Sequence, residues 1–166
     1  MLPNALRDRP MEALAEHLKA SLNDRLWAIF DEADQPREDA CRVAVPYRPD
    51  LLSTKVYPLI SCYRTGRVNV SEDRWRGELR WHMPMATNQQ SEQQHYLYWV
   101  EKSMVDILDL YQDAEEPCII VDMSVLRSTL GYLTVTRGNP QTALSFPTVQ
   151  IDFEFIDLES KYGVGS

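Results

Sequence analysis

Apolar positions along the chain fall into two helical stripes and several alternating runs. Met11, Leu14, Ala15, Leu18, Leu22, Leu26 and Ile29 recur at spacings of three and four, the period of one helix face. They predict a helix over 11–30. Pro10 stands just inside its start, where the missing N–H costs nothing, and the polar stretch 31–36 ends it. Leu97, Val100, Met104, Ile107, Leu108 and Tyr111 predict a second helix over 91–112. Ser91 and Gln94 are spaced as a capping box, and Pro117 lies past the end. Residues 56–64 are rich in β-formers and predict a strand that stops at Thr65-Gly66, with Pro58 near its first residues or on an edge. Trp75, Gly77, Leu79, Trp81 and Met83 alternate with Arg76, Glu78, Arg80 and His82, so one face enters the core and the other is charged. The stretch 65–74 between them is expected to be an exposed hairpin loop. Further strands are predicted at 118–126 and 132–136, followed by a turn at 137–140 and a return through Pro147. In the last strand Val149, Ile151, Phe153 and Phe155 alternate with Gln150, Asp152 and Glu154.

This pattern predicts an α/β (α+β) protein: a mixed, mostly antiparallel β-sheet with two main helices packed on it. A length of 166 residues suits one domain, 1–166. The core is expected to hold Leu14, Leu18, Leu22, Leu79, Trp81, Val100, Met104, Ile107, Ile151, Phe153 and Phe155. Two segments stand apart. Residues 31–55 form a polar connection marked by Pro36, Pro46 and Pro49, with a candidate short strand at 41–45. It reads either as an excursion that contacts a neighbouring subunit or as a plain surface loop. Residues 159–166 read as a short flexible tail. Tyr96, Tyr98 and Trp99 give the second helix more aromatic surface than one stripe buries, which suits an interface or a wide core face.

Charge narrows the partners. Seventeen basic against 25 acidic side chains give a net charge of −8, the wrong balance for a general nucleic-acid binder. Residues 1–100 are close to neutral, whereas 101–160 carry 3 basic and 11 acidic groups. Such asymmetry suits copies docking head to tail, a face that repels polyanions, or a solvated surface. Against this background 64–80 is a basic patch, with Arg64, Arg67, Arg74, Arg76 and Arg80 set against Glu72, Asp73 and Glu78. Arg64, Arg67, Arg74 and Arg76, together with Tyr96 and Trp99, are the candidate subunit-interface residues.

Chemistry is sparse. Cys41, Cys62 and Cys118 are widely spaced and indicate neither a zinc site nor a disulfide framework. Cys62 and Cys118 read as core thiols. His17, beside Glu16 on the first helix, reads as solvated. His82 belongs to a polar strand face, and His95 precedes an aromatic cluster. None has a metal-ligand spacing, and no P-loop, nucleophile elbow or Gly-rich phosphate cradle occurs. Asp152 and Glu154 share a strand face, but on a regular strand such a pair reads as solvent-facing alternation rather than as a glycosidase dyad. No catalytic residue, metal site or cofactor is expected. No apolar run approaches the ~18 residues of a membrane span, and the first residues lack a signal peptide's apolar stretch.

Local features add a resemblance. The run 57–66 is a strand closing in an aromatic-x-Thr-Gly step, and 74–84 (Arg-Trp-Arg-Gly-Glu-Leu-Arg-Trp-His-Met-Pro) pairs with it. A Trp-containing amphipathic helix follows, and 149–155 ends the sheet. Over about 11–30 and 56–158 the chain resembles the tail terminator proteins of tailed bacteriophages, the minor tail protein U type. The stretch 31–55 is longer than that family's usual connection. The resemblance implies a non-enzymatic virion protein of the tail and neck, assembled in the host cytoplasm. It implies a homo-hexameric ring that caps the tail tube and ends its polymerisation. The implied partners are the tail tube protein and a head-completion (connector) protein, with a tail sheath protein in contractile tails. Genomic DNA passes through the lumen without specific binding, and Asp152 and Glu154 are the lumen-lining candidates. A head-completion protein of the same neck is the neighbouring alternative, and a small-molecule-binding or enzymatic α/β domain the distant one.

Overall fold

The computed structural model describes residues 2–3, 6–83, 90–111, 120–138 and 142–158, apart from the side chains of Gln90 and Ser91. Two helices, α1 (Arg9–Glu32) and α2 (Gln90–Leu110), accompany five strands: β1 (Val43–Val45), β2 (Leu59–Asn69), β3 (Arg74–His82), β4 (Ile120–Arg137) and β5 (Thr142–Asp157). The strands form one sheet in the order β1-β2-β3-β5-β4. β1 runs parallel to β2, and the remaining pairs are antiparallel. The fold is α+β, with a mixed and mostly antiparallel sheet.

Both helices lie on one face of that sheet. Ile60, Trp81 and Val149 stand side by side across β2, β3 and β5, as do Cys62, Leu79 and Ile151 one step along. Their side chains meet Leu14, Leu18 and Leu22 of α1 and Leu97, Val100 and Met104 of α2 in the main core. The eleven residues expected in the core are all buried. Ile29 is not: it is 46 % exposed, and Phe30, four residues after Leu26, packs on the core instead. The cap of α1 is Asp8, whose carboxylate accepts the Met11 N–H at 3.4 Å. This places the helix start two residues ahead of the apolar stripe. Ser91 falls within α2 rather than at its cap, and the residues expected to end that helix lie outside the described ones.

Three strand expectations need correction. β2 does not stop at Thr65-Gly66. It absorbs Thr65 and Val68 as irregularities in its register with β3 and continues to Asn69, as bulged strands do. The expected loop shrinks to residues 70–73, with Asp73 at φ 55°. The runs 118–126 and 132–136 belong to one strand, β4, of 18 residues, although Cys118 itself lies outside the described residues. Alternation fails in its middle because an edge strand there buries little of either face. Residues 142–147 are likewise part of β5. Pro147 fits where β3 ends: its carbonyl accepts the Met83 N–H at 3.0 Å, and the missing donor falls at the sheet margin.

The connection between α1 and β2 is fastened at several points. Asn23, buried on α1, exchanges two hydrogen bonds with the Cys41 backbone, at 2.8 and 2.9 Å. Trp81 Nε1 donates to the Ala40 carbonyl at 2.8 Å and Trp27 Nε1 to that of Glu38 at 2.9 Å. Ala40 and Cys41 enter the main core. Leu51 joins Leu59 and Phe146 in a second, smaller core on the opposite sheet face, flanked by Tyr57, Leu133 and Leu144. That cluster holds the outer part of the β4–β5 hairpin, which extends past the end of β3.

Candidate assembly surface

Away from the helices, the second sheet face is a field of paired charges. Arg76, Glu78 and Arg80 of β3 stand beside Glu154, Asp152 and Gln150 of β5, and Arg127 of β4 stands beside Asp152. Strand alternation puts these residues on one side, because their neighbours Leu79, Ile151 and Phe153 point into the core. Arg76 reaches Glu154 at 3.1 Å and Arg80 lies 3.4 Å from Glu78. Tyr63 donates its hydroxyl to Glu78. Burial and that carboxylate both raise its pKa above the ordinary phenol value. Ser61 Oγ and Arg80 Nε are buried without a hydrogen-bond partner among the described residues. They sit at paired positions of β2 and β3, beside a shallow recess that Arg80 lines with Thr129, Thr148 and Gln150.

The arginines expected at a subunit interface are engaged within the chain. Arg64 bridges Asp8 at 2.8 Å and Asp157 at 2.7 Å, with its guanidinium over the rings of Trp75 and Phe155 at 4.7 and 5.2 Å. Burial acts to lower its pKa, but the two carboxylates outweigh it and hold the group above its ordinary value. Arg67 also lies over the Trp75 ring, 4.2 Å from its centroid, and 3.0 Å from Asp73. Arg74 joins Glu72 at 3.3 Å, Asp122, and Glu154 at 4.0 Å. These four arginines and Trp75 therefore gather at one end of the sheet. Tyr96 and Trp99 stack on each other at 5.9 Å, and Tyr96 continues onto Trp81. Both pack on the main core, which leaves Tyr98, 57 % exposed, as the outward ring of that cluster.

Of the lumen candidates, Glu154 is held by Arg74 and Arg76, and Asp152 lies among Arg127, Glu78 and Gln150. The open face is thus near charge balance. The acidic excess sits in the helical layer: α2 carries Glu92, Glu101, Asp106 and Asp109 against Lys102 alone.

Two histidines differ from their expected settings. His17 is half-buried, edge-on to Tyr111 at 5.0 Å, and burial lowers its pKa. His82 is buried, because the second core covers its end of the open face. Thr148 donates to the Phe146 carbonyl at 2.9 Å, so its oxygen is left to accept from His82 Nδ1, also at 2.9 Å. That arrangement fixes the neutral tautomer with the proton on Nδ1. Burial, with Arg80 nearby, depresses the His82 pKa to about 4. Among the described residues no cluster of three His, Cys, Asp or Glu side chains forms a metal site, and no helix is long and apolar enough to cross a membrane. No protein-family model matches the sequence, and no curated protein matches it.

The partners of Arg64 were not legible in the sequence, since Asp8 and Asp157 lie 56 and 93 residues away. The edge character of β4 did leave a signal: from Leu130 to Thr136 the chain is uncharged, free of proline and, Gly131 apart, made of apolar and β-branched residues.

Proposed function

We propose that this chain is a structural virion protein, a tail terminator whose hexameric ring caps the tail tube of a bacteriophage. The ring ends tube polymerisation and presents the docking surface for the head-completion protein. The observation that carries the reading is the element order: a helix, a long connection, a hairpin, a second helix and a closing hairpin, with both helices on one face of a single sheet. This is the order through which the sequence resembles the terminator family. The layering also suits a ring subunit. One face is closed by helices, while the other carries paired charges, and among the described residues two sheet edges remain for neighbours. In this reading the chain acts through surfaces and takes no cofactor, and DNA passes without being held.

The test is a tube-capping experiment. Purified tail tube protein from a phage that encodes this chain is polymerised with and without it, and the products are examined by electron microscopy. The expected result is shorter tubes carrying a six-fold ring at one end. Tubes of unchanged length with bare ends overturn the proposal. A ring that binds isolated portal–connector complexes and ignores tubes assigns the chain to the head-completion step instead.

A further inference from the structure

Among the described residues the sheet has two unfilled edges. β1 covers β2 only at Leu59, Ile60 and Ser61. Beyond it residues 65–69 of β2 are all exposed, and on the side away from β3 no strand among the described residues pairs with them. At the other side β4 pairs with β5 along one flank and with nothing described along the other. Its register with β5 is unbroken from Arg127 to Arg137. A free strand edge is a template for another chain, and natural proteins blunt such edges with charge, proline or shortness. β4 is 18 residues long. Between Met123 and Thr136 it has Arg127 as its one charge and no proline. Leu126, Leu130 and Tyr132 are exposed by 46, 38 and 46 %. A segment of that composition, left bare, is an aggregation hazard.

We infer that β4 of one copy pairs with the outer part of β2, residues 65–69, of the next copy, head to tail. Three observations select this occupant. First, β2, β3, β5 and β4 are successively antiparallel, so β4 runs opposite to β2. A neighbour related by rotation about an axis along the strands therefore presents β2 antiparallel to β4 and keeps its helices on the same side. Second, the contact engages both edges at once, covering 65–69 of β2 with a matching stretch of β4, whereas a two-fold β4–β4 pairing leaves Val68 and Val70 of the β2–β3 hairpin bare, at 46 and 76 % exposure. Third, the nearby arginines are already paired within the chain, so backbone pairing and apolar contact carry the seam and salt affects it weakly. Being heterologous, this contact generates a closed ring or a filament rather than a simple dimer. It rests on the ring reading only in requiring that copies associate.

The test places one thiol on each edge. Gly66 and Thr129 both lie on the open face, and a Cβ at Gly66 meets no atom within 4 Å. Gly66→Cys and Thr129→Cys are made separately and together in a Cys118→Ser background, and a short bis-maleimide is added to the full chain at rising concentration. Cys41 and Cys62 are buried and do not compete. Mixing the two single variants is expected to give linked heterodimers, and the double variant a ladder of multimers. Each single variant alone stays unlinked. Leu130→Lys in the double variant is expected to abolish the ladder while the thermal midpoint stays within a few degrees of the parent. Self-linking of Thr129→Cys overturns the inference in favour of a two-fold contact. Association seen by sedimentation without any link overturns this seam and leaves the ring reading standing. A chain monomeric at every concentration, even with polymerised tail tubes added, overturns both.

Discussion

At the scale of single residues, Arg64 and His82 carry the strongest constraints. Arg64 closes a circuit between the cap of α1 and the end of β5, so it ties together positions far apart in the chain. Asp157 is 4 % exposed, and truncating Arg64 to Ala deprives that buried carboxylate of a cation. Breaking such a pair from one side destabilises by about 3–5 kcal/mol. Arg64→Ala is therefore expected to lower the denaturant midpoint strongly. Arg64→Lys is expected to recover only part of the loss, because an ammonium lacks the planar fork that engages both carboxylates and stacks on Trp75. Equal midpoints for Lys and the parent would show that the two-carboxylate geometry contributes nothing. His82 adds a dependence on pH. Its folded pKa, about 4, lies below the ordinary 6.5, so the unfolded chain binds the proton first. Stability is complete above pH 6.5 and falls as the pH drops towards 4, by about 3 kcal/mol from this group. His82→Gln, which keeps a donor for Thr148, is expected to flatten that acid limb in denaturation curves collected across the same window.

At the scale of elements, the legible parts were those with a clean period. α1, α2, β3 and the inner part of β5 each bury one face against a single core, so their apolar spacing maps onto geometry. β2 and β4 lost their outlines because bulges break the alternation and because an edge strand has no face to bury. The connection before β2 was unreadable for a different reason. Its anchors are a side-chain amide on α1 and an indole on β3 that seize backbone groups, Asn23 to Cys41 and Trp81 to Ala40, and such bonds leave no periodic trace. Of the candidate site, the residue types were visible but their long-range partners were not, since the pairings of Arg64 with Asp8 and Asp157, of Arg74 with Asp122 and of Arg76 with Glu154 depend on which strands and helix ends meet. β3 offers a direct check of that register. Gly77 lies under the ring of Phe153 on β5, where an added Cβ would stand 2.5 Å from the ring carbon Cζ. Gly77→Ala is expected to destabilise by about 1–3 kcal/mol through overpacking, read from urea denaturation. The same change at Gly131, where a Cβ meets no atom within 4 Å, is expected to leave the midpoint close to the parent. If the two substitutions behave alike, the pairing of Gly77 with Phe153 is wrong.

At the scale of the whole molecule, charge placement decides how the protein meets DNA. In the proposed ring, six copies of a chain of net charge −8 would bring a large negative charge close to the lumen. The structure distributes that charge unevenly. The open sheet face is nearly neutral because Arg76, Arg80 and Arg127 stand among Glu78, Asp152 and Glu154, and the excess acid lies on the helices. Among the described residues the arginines gathered at the end of the sheet do not form the row of free cations that phosphate binding requires. Duplex affinity grows with the number of phosphates neutralised by Lys and Arg, and Arg64, Arg67, Arg74 and Arg76 are each held by a carboxylate of their own chain. If the helical layer faces the lumen, DNA is repelled; if the open face does, DNA meets dipoles of paired charges that give no net hold. In the proposed ring, the duplex would slide in both orientations. The full-length protein is therefore expected to leave duplex DNA unshifted in a mobility-shift titration at physiological salt, and lowering the salt is expected to change little. Micromolar binding that weakens steeply with added salt would refute this, because it would require several arginines to leave their internal partners for phosphate. The double substitution Asp152→Asn with Glu154→Gln supplies the complementary arm. It releases Arg76 from Glu154 and removes two negative charges from the open face beside Arg127, and is expected to create weak, salt-sensitive DNA binding where the parent has none.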